Sequence, residues 1–438
     1  MVKIVTPQVQ FEKLEKEVLA DWEQENIFQK QDESRKEAPL YSFYDGPPFA
    51  NGLPHYGHLL ANTIKDTVPR YWIMRGFRVN RRFGWDCHGL PVEFEIEKKH
   101  KLKGKPDILK LGVDKFNESC RESVLHYVNE WKKTITRLGR WVKWDDQYRT
   151  MDLEFMESVW WVFSELHKKG LIYQDFKVVP YSPRTASVVS NFEANQNYKQ
   201  VQDPSVIVKF KAKEFENTWF VVWTTTPWTL PSNLCLAVHK DIRYVKLKDK
   251  ESGEFRIVAE KRIEFLYPVK KSEEAPYEIV ETFPGKDLQG QAYEPMFDYF
   301  AKNKNSFMLT CADFVNVEDG TGVVHQAPAY GEDDFYTCKS LQIDLVDPIN
   351  ESGMFDQQTP DLEGTYFKDA DKIICKKLKE KNLLIRHDTL VHSYPFDERT
   401  DTPLMYKAVP SWYVAVEKFA KNLVDNNQKI NWVPDHIK

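Results

Sequence analysis

Phe43-Tyr44-Asp45-Gly46-Pro47-Pro48-Phe49-Ala50-Asn51-Gly52-Leu53-Pro54-His55-Tyr56-Gly57-His58 is the stretch from which the rest of this 438-residue chain can be read. Leading into it, Leu40-Tyr41-Ser42-Phe43-Tyr44 is an apolar, aromatic run of strand length. Asp45-Gly46-Pro47-Pro48 is a strong turn signal. A helix is predicted from near Gly57 towards Arg70, and Val79 to Phe83 reads as a second strand ending at Gly84. Strand, turn, helix, strand opens a parallel α/β unit. His55 and His58, three apart, share one face of the starting helix. Gly57 between them lets a bound group approach the backbone, and the helix N-terminus presents N–H groups and a positive dipole. Phosphates suit such a place, and two histidines can stabilise charge built up during nucleotidyl transfer. Taken alone, the spacing is equally that of two surface or core histidines. Its position after a strand and a Gly-Pro-Pro turn is what favours a nucleotide site.

A second constellation, Gly84-Trp85-Asp86-Cys87-His88-Gly89-Leu90-Pro91-Val92-Glu93, follows the second strand, at the carboxyl edge where open α/β sheets bind ligands. Asp86 there can pair with an ammonium group, although a turn-capping aspartate reads the same way. Residues 112–140 and 152–170 read as two longer helices. The second has an apolar face of Phe155, Val159, Trp160, Val162, Phe163 and Leu166, expected to be core. Near Val201 the texture changes. Val206–Phe210, Trp219–Trp223, Tyr244–Leu247 and Phe255–Val258 are short β-rich runs spaced as in an antiparallel barrel, in a block reaching to about residue 390. Two further constellations lie in it: Trp223-Thr224-Thr225-Thr226-Pro227-Trp228-Thr229 and the glycine-rich Gly320–Asp334 segment with His325 and an acidic cluster. Hydroxyls can hold a water and satisfy a ribose, but threonine is also an ordinary strand residue.

Pro54-His55-Tyr56-Gly57-His58 resembles the first signature motif of the class I aminoacyl-tRNA synthetases, and Asp45–Gly52 resembles the isoleucyl branch of that family. The wording His325-Gln326-Ala327-Pro328-Ala329-Tyr330-Gly331-Glu332-Asp333-Asp334 is closest to the same branch. The resemblance implies an α/β fold: the first half of a Rossmann-like parallel-sheet catalytic domain with a large, mostly β-barrel editing domain inserted. The implied division is 1–185 for the N-terminal helix and catalytic half, 186–395 for the editing domain and 396–438 for the return segment. It implies that His55 and His58 are catalytic and, with Gly57, bind the ATP phosphates while the amino-acid carboxylate attacks. Asp86 would hold the substrate α-amino group, and Gly46 and Pro47 would line the aminoacyl pocket. In the β-rich block, Asp334 would grip the α-ammonium of an aminoacyl ester and His325 would limit the pocket's size. Thr224, Thr225, Thr226 and Thr229 would contact substrate, exclude larger side chains and position water. The reason for a second site is physical. A pocket separates substrates one methylene apart by only about 10–200-fold, a range for which isoleucine against valine in this family is itself the reference case. No Ser-His-Asp grouping is visible in the insert, so water held by polar groups and the substrate's ribose hydroxyls is expected to do the hydrolysis. The implied partners are tRNA(Ile), isoleucine and ATP with Mg2+, and the expected state is a monomer.

Two departures from the family stand out. Many relatives carry two C-x-x-C pairs that bind zinc; here those positions are Ser182, Thr185, Asp397 and Thr400. Hydroxyls are poor zinc ligands, so no zinc is expected, and the two segments are expected to meet through hydrogen bonds instead. The chain also stops at Lys438, with no counterpart of the second catalytic half or its KMSKS loop. It is therefore expected to hold half an activation site and a whole editing site. The composition fits: 42% hydrophobic residues can bury a core, and 29% charged residues of mixed sign with a net charge of −5 argue against a histone-like binder. No apolar run of membrane-spanning length occurs, and the N-terminal stretch lacks an apolar signal region, so a cytoplasmic location is expected. Cys87, Cys120, Cys235, Cys311, Cys338 and Cys375 form no C-x-x-C pair and read as buried small hydrophobes. Two rivals remain. One is a valyl enzyme, which Gly46–Gly52 and His325–Pro328 speak against. The other is a partner-dependent tRNA-binding fragment, since an open parallel half-sheet rarely stands alone.

Overall fold

Leu40–Tyr41 (β1) pairs in parallel with Arg78–Val79 (β2), and the helix Tyr56–Met74 forms the crossover between them. The βαβ order of the N-terminal segment is thereby met, but the expected second strand, Val79 to Phe83, is split between β2 and a separate strand of another sheet. Arg82–Trp85 (β3) pairs in parallel with Lys143–Arg149 (β4). The computed structural model describes residues 8–49, 51–124, 126–268 and 274–438. Ala50 of the first motif and the first seven residues, on which part of the N-terminal reading fell, lie outside the described residues.

The chain divides into two units, Met1–Ile172 with Val416–Lys438, and Tyr173–Ala415. The first has a core of Phe83, Trp85, Cys87, Val92, Val124, Trp131, Ile135 and Val142. Fully burying one such large side chain contributes about 1.5–3 kcal/mol, so this cluster fixes β3 and the helix Val128–Arg137 against each other. The stretch 112–140 is two helices, Val113–Val124 and Val128–Arg137. The helix Leu153–Lys168 forms where expected, but its apolar face is not core. Trp160 is 76% exposed and Trp161 64%. The amphipathic pattern is real; the short parallel pairs of this unit do not cover it.

In the second unit, Ile172–Ser182 (β5), which begins one residue before it, and Ser187–Val188 (β6) join Met405–Val414 (β16) in a sheet of order β16-β5-β6. This pairing of the entering and leaving strands carries the unit beyond the 186–395 span read from sequence. Between them run Tyr198–Lys211 (β7), Thr218–Thr224 (β8), Cys235–Val238 (β9), Arg243–Asp249 (β10), Phe255–Ala259 (β11), Tyr277–Pro284 (β12), Met308–Cys311 (β13), Val324–Gln326 (β14) and Leu384–Pro395 (β15). They form a six-stranded sheet, β12-β10-β11-β8-β7-β15, and a three-stranded one, β13-β9-β14. All four β-rich runs named above are strands. The inner strands of the six-stranded sheet are buried on both faces, whereas its edge strands β12 and β15 are largely exposed. Val206, Val208, Phe210, Phe220 and Val222 enter one core cluster, whereas Ile207, Val221, Val245, Leu247 and Val258 enter another. Two-sided burial is why the runs are continuously apolar rather than alternating. The sheets are also mixed and open. β11 pairs in parallel with β8, and β13 with β9, where an antiparallel barrel was expected, and no sheet among the described strands closes. Short strands at regular spacing do not distinguish a closed barrel from open sheets joined by crossovers.

Candidate functional site

β8 ends at Thr224, and the chain passes through Thr225 and Thr226 into the 3-10 turn Pro227–Ser232 that carries Thr229. β14 carries His325, paired opposite Leu236 of β9. Asp334 lies in the first turn of the helix Glu332–Ser340. The structure gathers all six of these side chains around one cavity of about 320 Å3, with Trp223, Val315, Asn316, Asp319, Thr321 and Tyr330 also in its wall. The hydroxyls form an arc. Thr224 Oγ1 lies 3.2 Å from Thr226 Oγ1, which lies 3.4 Å from Thr229 Oγ1. Thr229 Oγ1 also donates to the Thr226 carbonyl at 2.9 Å and lies 3.0 Å from His325 Nε2.

Electrostatics set the protonation states. His325 is buried, and burial lowers its pKa to about 4, so the imidazole is neutral at physiological pH. Its Nδ1 is buried without a hydrogen-bond partner among the described residues. Asp334 Oδ2 accepts the backbone N–H of Ala327 at 2.8 Å. Even so, withdrawal from water pushes its carboxyl up to about 7, with the nearby Asp333 adding to the rise. A carboxyl in that condition is poised for a cation, whose arrival would favour the ionised form. Gly331, the residue before the helix, is what lets Asp334 fold back: a Cβ there would sit 2.7 Å from the Asp334 carboxyl carbon.

In the first unit, His55 caps the helix Tyr56–Met74 in an extended conformation, and its N–H donates to His58 Nδ1 at 3.2 Å. The two imidazoles stack with centroids 3.7 Å apart, and a Cβ on Gly57 would come within 3.0 Å of the His55 ring. Burial, then the positive charges of His55 and Lys65, lower the His58 pKa. Asp86 follows β3, and its N–H donates to the Pro48 carbonyl at 2.9 Å while Phe49 bridges it in parallel. The segment with Gly46 and Pro47 therefore lies beside Asp86. Gly46 O accepts Lys65 Nζ at 2.7 Å. A buried charge pair, unmarked by any local pattern in the sequence, holds this segment. The Asp45 carboxylate, 4% exposed, is paired with Lys65 and with Arg140 Nη2 at 2.7 Å, and Tyr148 Oη donates to the Asp45 carbonyl at 2.9 Å. Arg140 lies 95 residues from Asp45, so no local pattern marks it.

The four positions tested for zinc hold oxygen donors. Ser182 Oγ donates to Asp397 Oδ2 at 2.6 Å, and Asp397 Oδ1 accepts the N–H groups of Arg399 at 2.9 Å and Thr400 at 3.3 Å. Thr185 and Thr400 bond instead to Ser187 and Thr402. The two segments do lie together. Among the described residues no cluster of three His, Cys, Asp or Glu side chains is placed to hold a metal, and no helix is long and apolar enough to cross a membrane.

Residues 17–438 match a family model described as class I tRNA synthetases (I, L, M and V). Among curated relatives, the isoleucine–tRNA ligase of Bdellovibrio bacteriovorus is 51% identical over 436 residues, covering 99% of this chain and 41% of the relative. That of Protochlamydia amoebophila is 50% identical over 433 residues, covering 98% and 41%. The cytoplasmic isoleucine–tRNA ligase of Mus musculus is 50% identical over 445 residues, covering 100% and 35%. The chain thus spans about two fifths of the length of the curated relatives it matches.

Proposed function

Because the chain belongs to the class I tRNA synthetases of the I, L, M and V group, we propose that it is part of an isoleucine–tRNA ligase. The complete enzyme would activate isoleucine with ATP and charge tRNA(Ile). In this reading the first unit is the opening half of the Rossmann-like catalytic domain and the second unit is an editing domain that hydrolyses valyl-tRNA(Ile). ATP would bring Mg2+ on its phosphates. His55 and His58, exposed and half-buried beside the helix N-terminus, would donate to those phosphates. Asp86 would pair with the isoleucine ammonium against the wall formed by Gly46 and Pro47.

The observation that carries the editing assignment is the cavity that unites Asp334 with the threonine arc and His325. The Asp334 carboxylate would hold the ammonium of the aminoacyl group. The hydroxyls of Thr224, Thr226 and Thr229 and the neutral imidazole of His325 would hold the attacking water and the terminal ribose. Water oxygen adds to the ester carbonyl carbon, the bond from that carbon to the ribose oxygen breaks, and the water's proton ends on the ribose oxygen. No covalent enzyme intermediate is needed. The test is deacylation of tRNA(Ile) charged with valine by this chain, with Asp334→Ala as control. The wild type should release valine and the variant should be slower by at least about tenfold. Equal rates would overturn the assignment. Faster release of threonine than of valine from its own cognate tRNA would favour the valyl branch.

A further inference from the structure

Behind the threonine wall, a carboxylate from outside the cavity holds the turn in place. Asp371 belongs to the helix Phe367–Glu380 and is 4% exposed. Its Oδ1 accepts the backbone N–H of Trp228 at 2.8 Å. Trp228 is the second residue of the turn Pro227–Ser232. Pro227 has no N–H, so the Trp228 N–H is the first that the turn leaves without an internal acceptor. Asp371 therefore caps the turn from 143 residues away. The clasp is also apolar: the Trp228 ring meets Phe367 and Tyr330 with centroids 5.0 Å apart in each case. The hydroxyls that matter flank the capped residue. Thr226 comes just before the turn, and Thr229 is the residue after Trp228, with its N–H on the Thr226 carbonyl at 3.0 Å and its hydroxyl against His325. Asp371 is not among the residues lining the cavity.

We propose that Asp371 is the positioning residue of the hydrolytic site: by holding the Trp228 N–H it sets where the Thr229 hydroxyl stands against His325. The inference rests on reading the cavity as an ester-hydrolysing site. Burial pushes the Asp371 carboxyl up to about 7, so what it brings to the turn is an acceptor oxygen at a fixed place, and Oδ1 holds the Trp228 N–H by geometry rather than by charge. The charge of Lys368, which pairs with Asp203 at 2.6 Å, offsets part of the cost of burial, and that of Asp203 adds to it. The His392 Nε2 reaches the same Asp203 oxygen at 3.0 Å.

A cap that served stability alone would lower the melting temperature and leave kcat per folded molecule unchanged. A positioning role moves kcat without moving KM, because Asp334 still holds the ammonium. Valine-charged tRNA(Ile) is therefore offered to the wild-type chain and to Asp371→Ala, Asp371→Glu and Asp371→Asn, with kcat and KM measured separately. The alanine variant loses the acceptor and the glutamate variant displaces it. Each should lose about tenfold to a hundredfold in kcat with KM within about twofold, the scale expected when a reacting group is misplaced by about 1 Å. Asparagine presents an amide oxygen where Oδ1 stood and should stay within about threefold of wild type. Should the alanine variant fail to fold, the glutamate and asparagine variants decide. Unchanged kcat in the glutamate variant, a loss carried by KM, or an asparagine variant as impaired as the glutamate one overturns the proposal. If the wild type releases no valine, the reading of the cavity fails and the role of Asp371 with it. If Asp334→Ala abolishes release while the Asp371 variants behave as wild type, only the Asp371 assignment falls.

Discussion

Thr229 Oγ1 and His325 Nε2 lie 3.0 Å apart although 96 residues separate them in the chain. This one hydrogen bond ties the turn after β8 to β14, and so joins two walls of the cavity. Thr229→Val keeps the shape and removes the hydroxyl, leaving a buried imidazole with no bonded nitrogen. The expected cost is about 1–3 kcal/mol, read as a fall in melting temperature of roughly 2–4 °C for each kcal/mol in a domain of 150–250 residues. Valyl-tRNA(Ile) hydrolysis should fall by about tenfold or more. A variant that melts and hydrolyses as the wild type does would remove this bond from the account.

The pH profile of the cavity follows from Asp334. Its carboxyl has been pushed up to about 7, so below that pH it is increasingly neutral and cannot pair with an ammonium. KM for valyl-tRNA(Ile) should rise as the pH falls from about 7, while the substrate amine loses its charge above about 7.7–8.0. His325, lowered to about 4, stays neutral throughout and contributes no limb. Asp334→Asn should abolish the acid limb. Stability carries the opposite sign. With a folded pKa above its unfolded value near 3.9, the native state binds the extra proton, so stability from this group declines as pH rises from about 4 to 7. Denaturation of wild type and Asp334→Asn at pH 5 and pH 8 measures it: the variant should gain relative stability at the higher pH.

Gly331→Ala tests close packing rather than charge. The new Cβ would stand 2.7–2.9 Å from all three carboxyl atoms of Asp334, forcing that side chain out of place. The expected result is a rise in KM of about tenfold, from an ammonium contact worth roughly 1.5–3 kcal/mol, with the melting temperature within a few degrees of wild type. An unaltered KM would mean that Asp334 can serve from a displaced position.

The Ser182–Asp397 pair predicts indifference to metal. Asp397 is 2% exposed and accepts three hydrogen bonds, so its charge is satisfied by the protein itself. Exhaustive chelation should leave the melting temperature unchanged, whereas Ser182→Ala should cost about 1.5–3 kcal/mol, the range for a hydrogen bond to a charged group. A melting temperature that falls on chelation would contradict this.

What could be read from sequence was local. In Asp45–His58 a strand, a turn and two histidines three apart mark the segment locally, whereas the roles in Gly320–Asp334 were legible only through its resemblance to a family. The strands of the six-stranded sheet showed as continuous apolar runs because Val206, Ile207 and Val208 are buried on both faces. Partners distant in the chain left no such mark. Asp371 looks like any helical aspartate until Trp228 is placed beside it, and Arg140 until Asp45 is. Periodicity also misled where burial depends on neighbours: Val159 and Trp160 belong to a regular apolar face, yet both stand exposed. Sheet closure was beyond reach for a related reason, since strand spacing says nothing of which edges meet.

The central claim is that one small polar cavity sorts esters by the size of the side chain. Its most direct test is a single comparison: release of amino acid from tRNA(Ile) charged with valine and from the same tRNA charged with isoleucine, by this chain under identical conditions. The account predicts that valine is released and isoleucine is spared by at least about tenfold, because one added methylene in a closed pocket is worth about 1–3 kcal/mol. Equal rates for the two esters would contradict it.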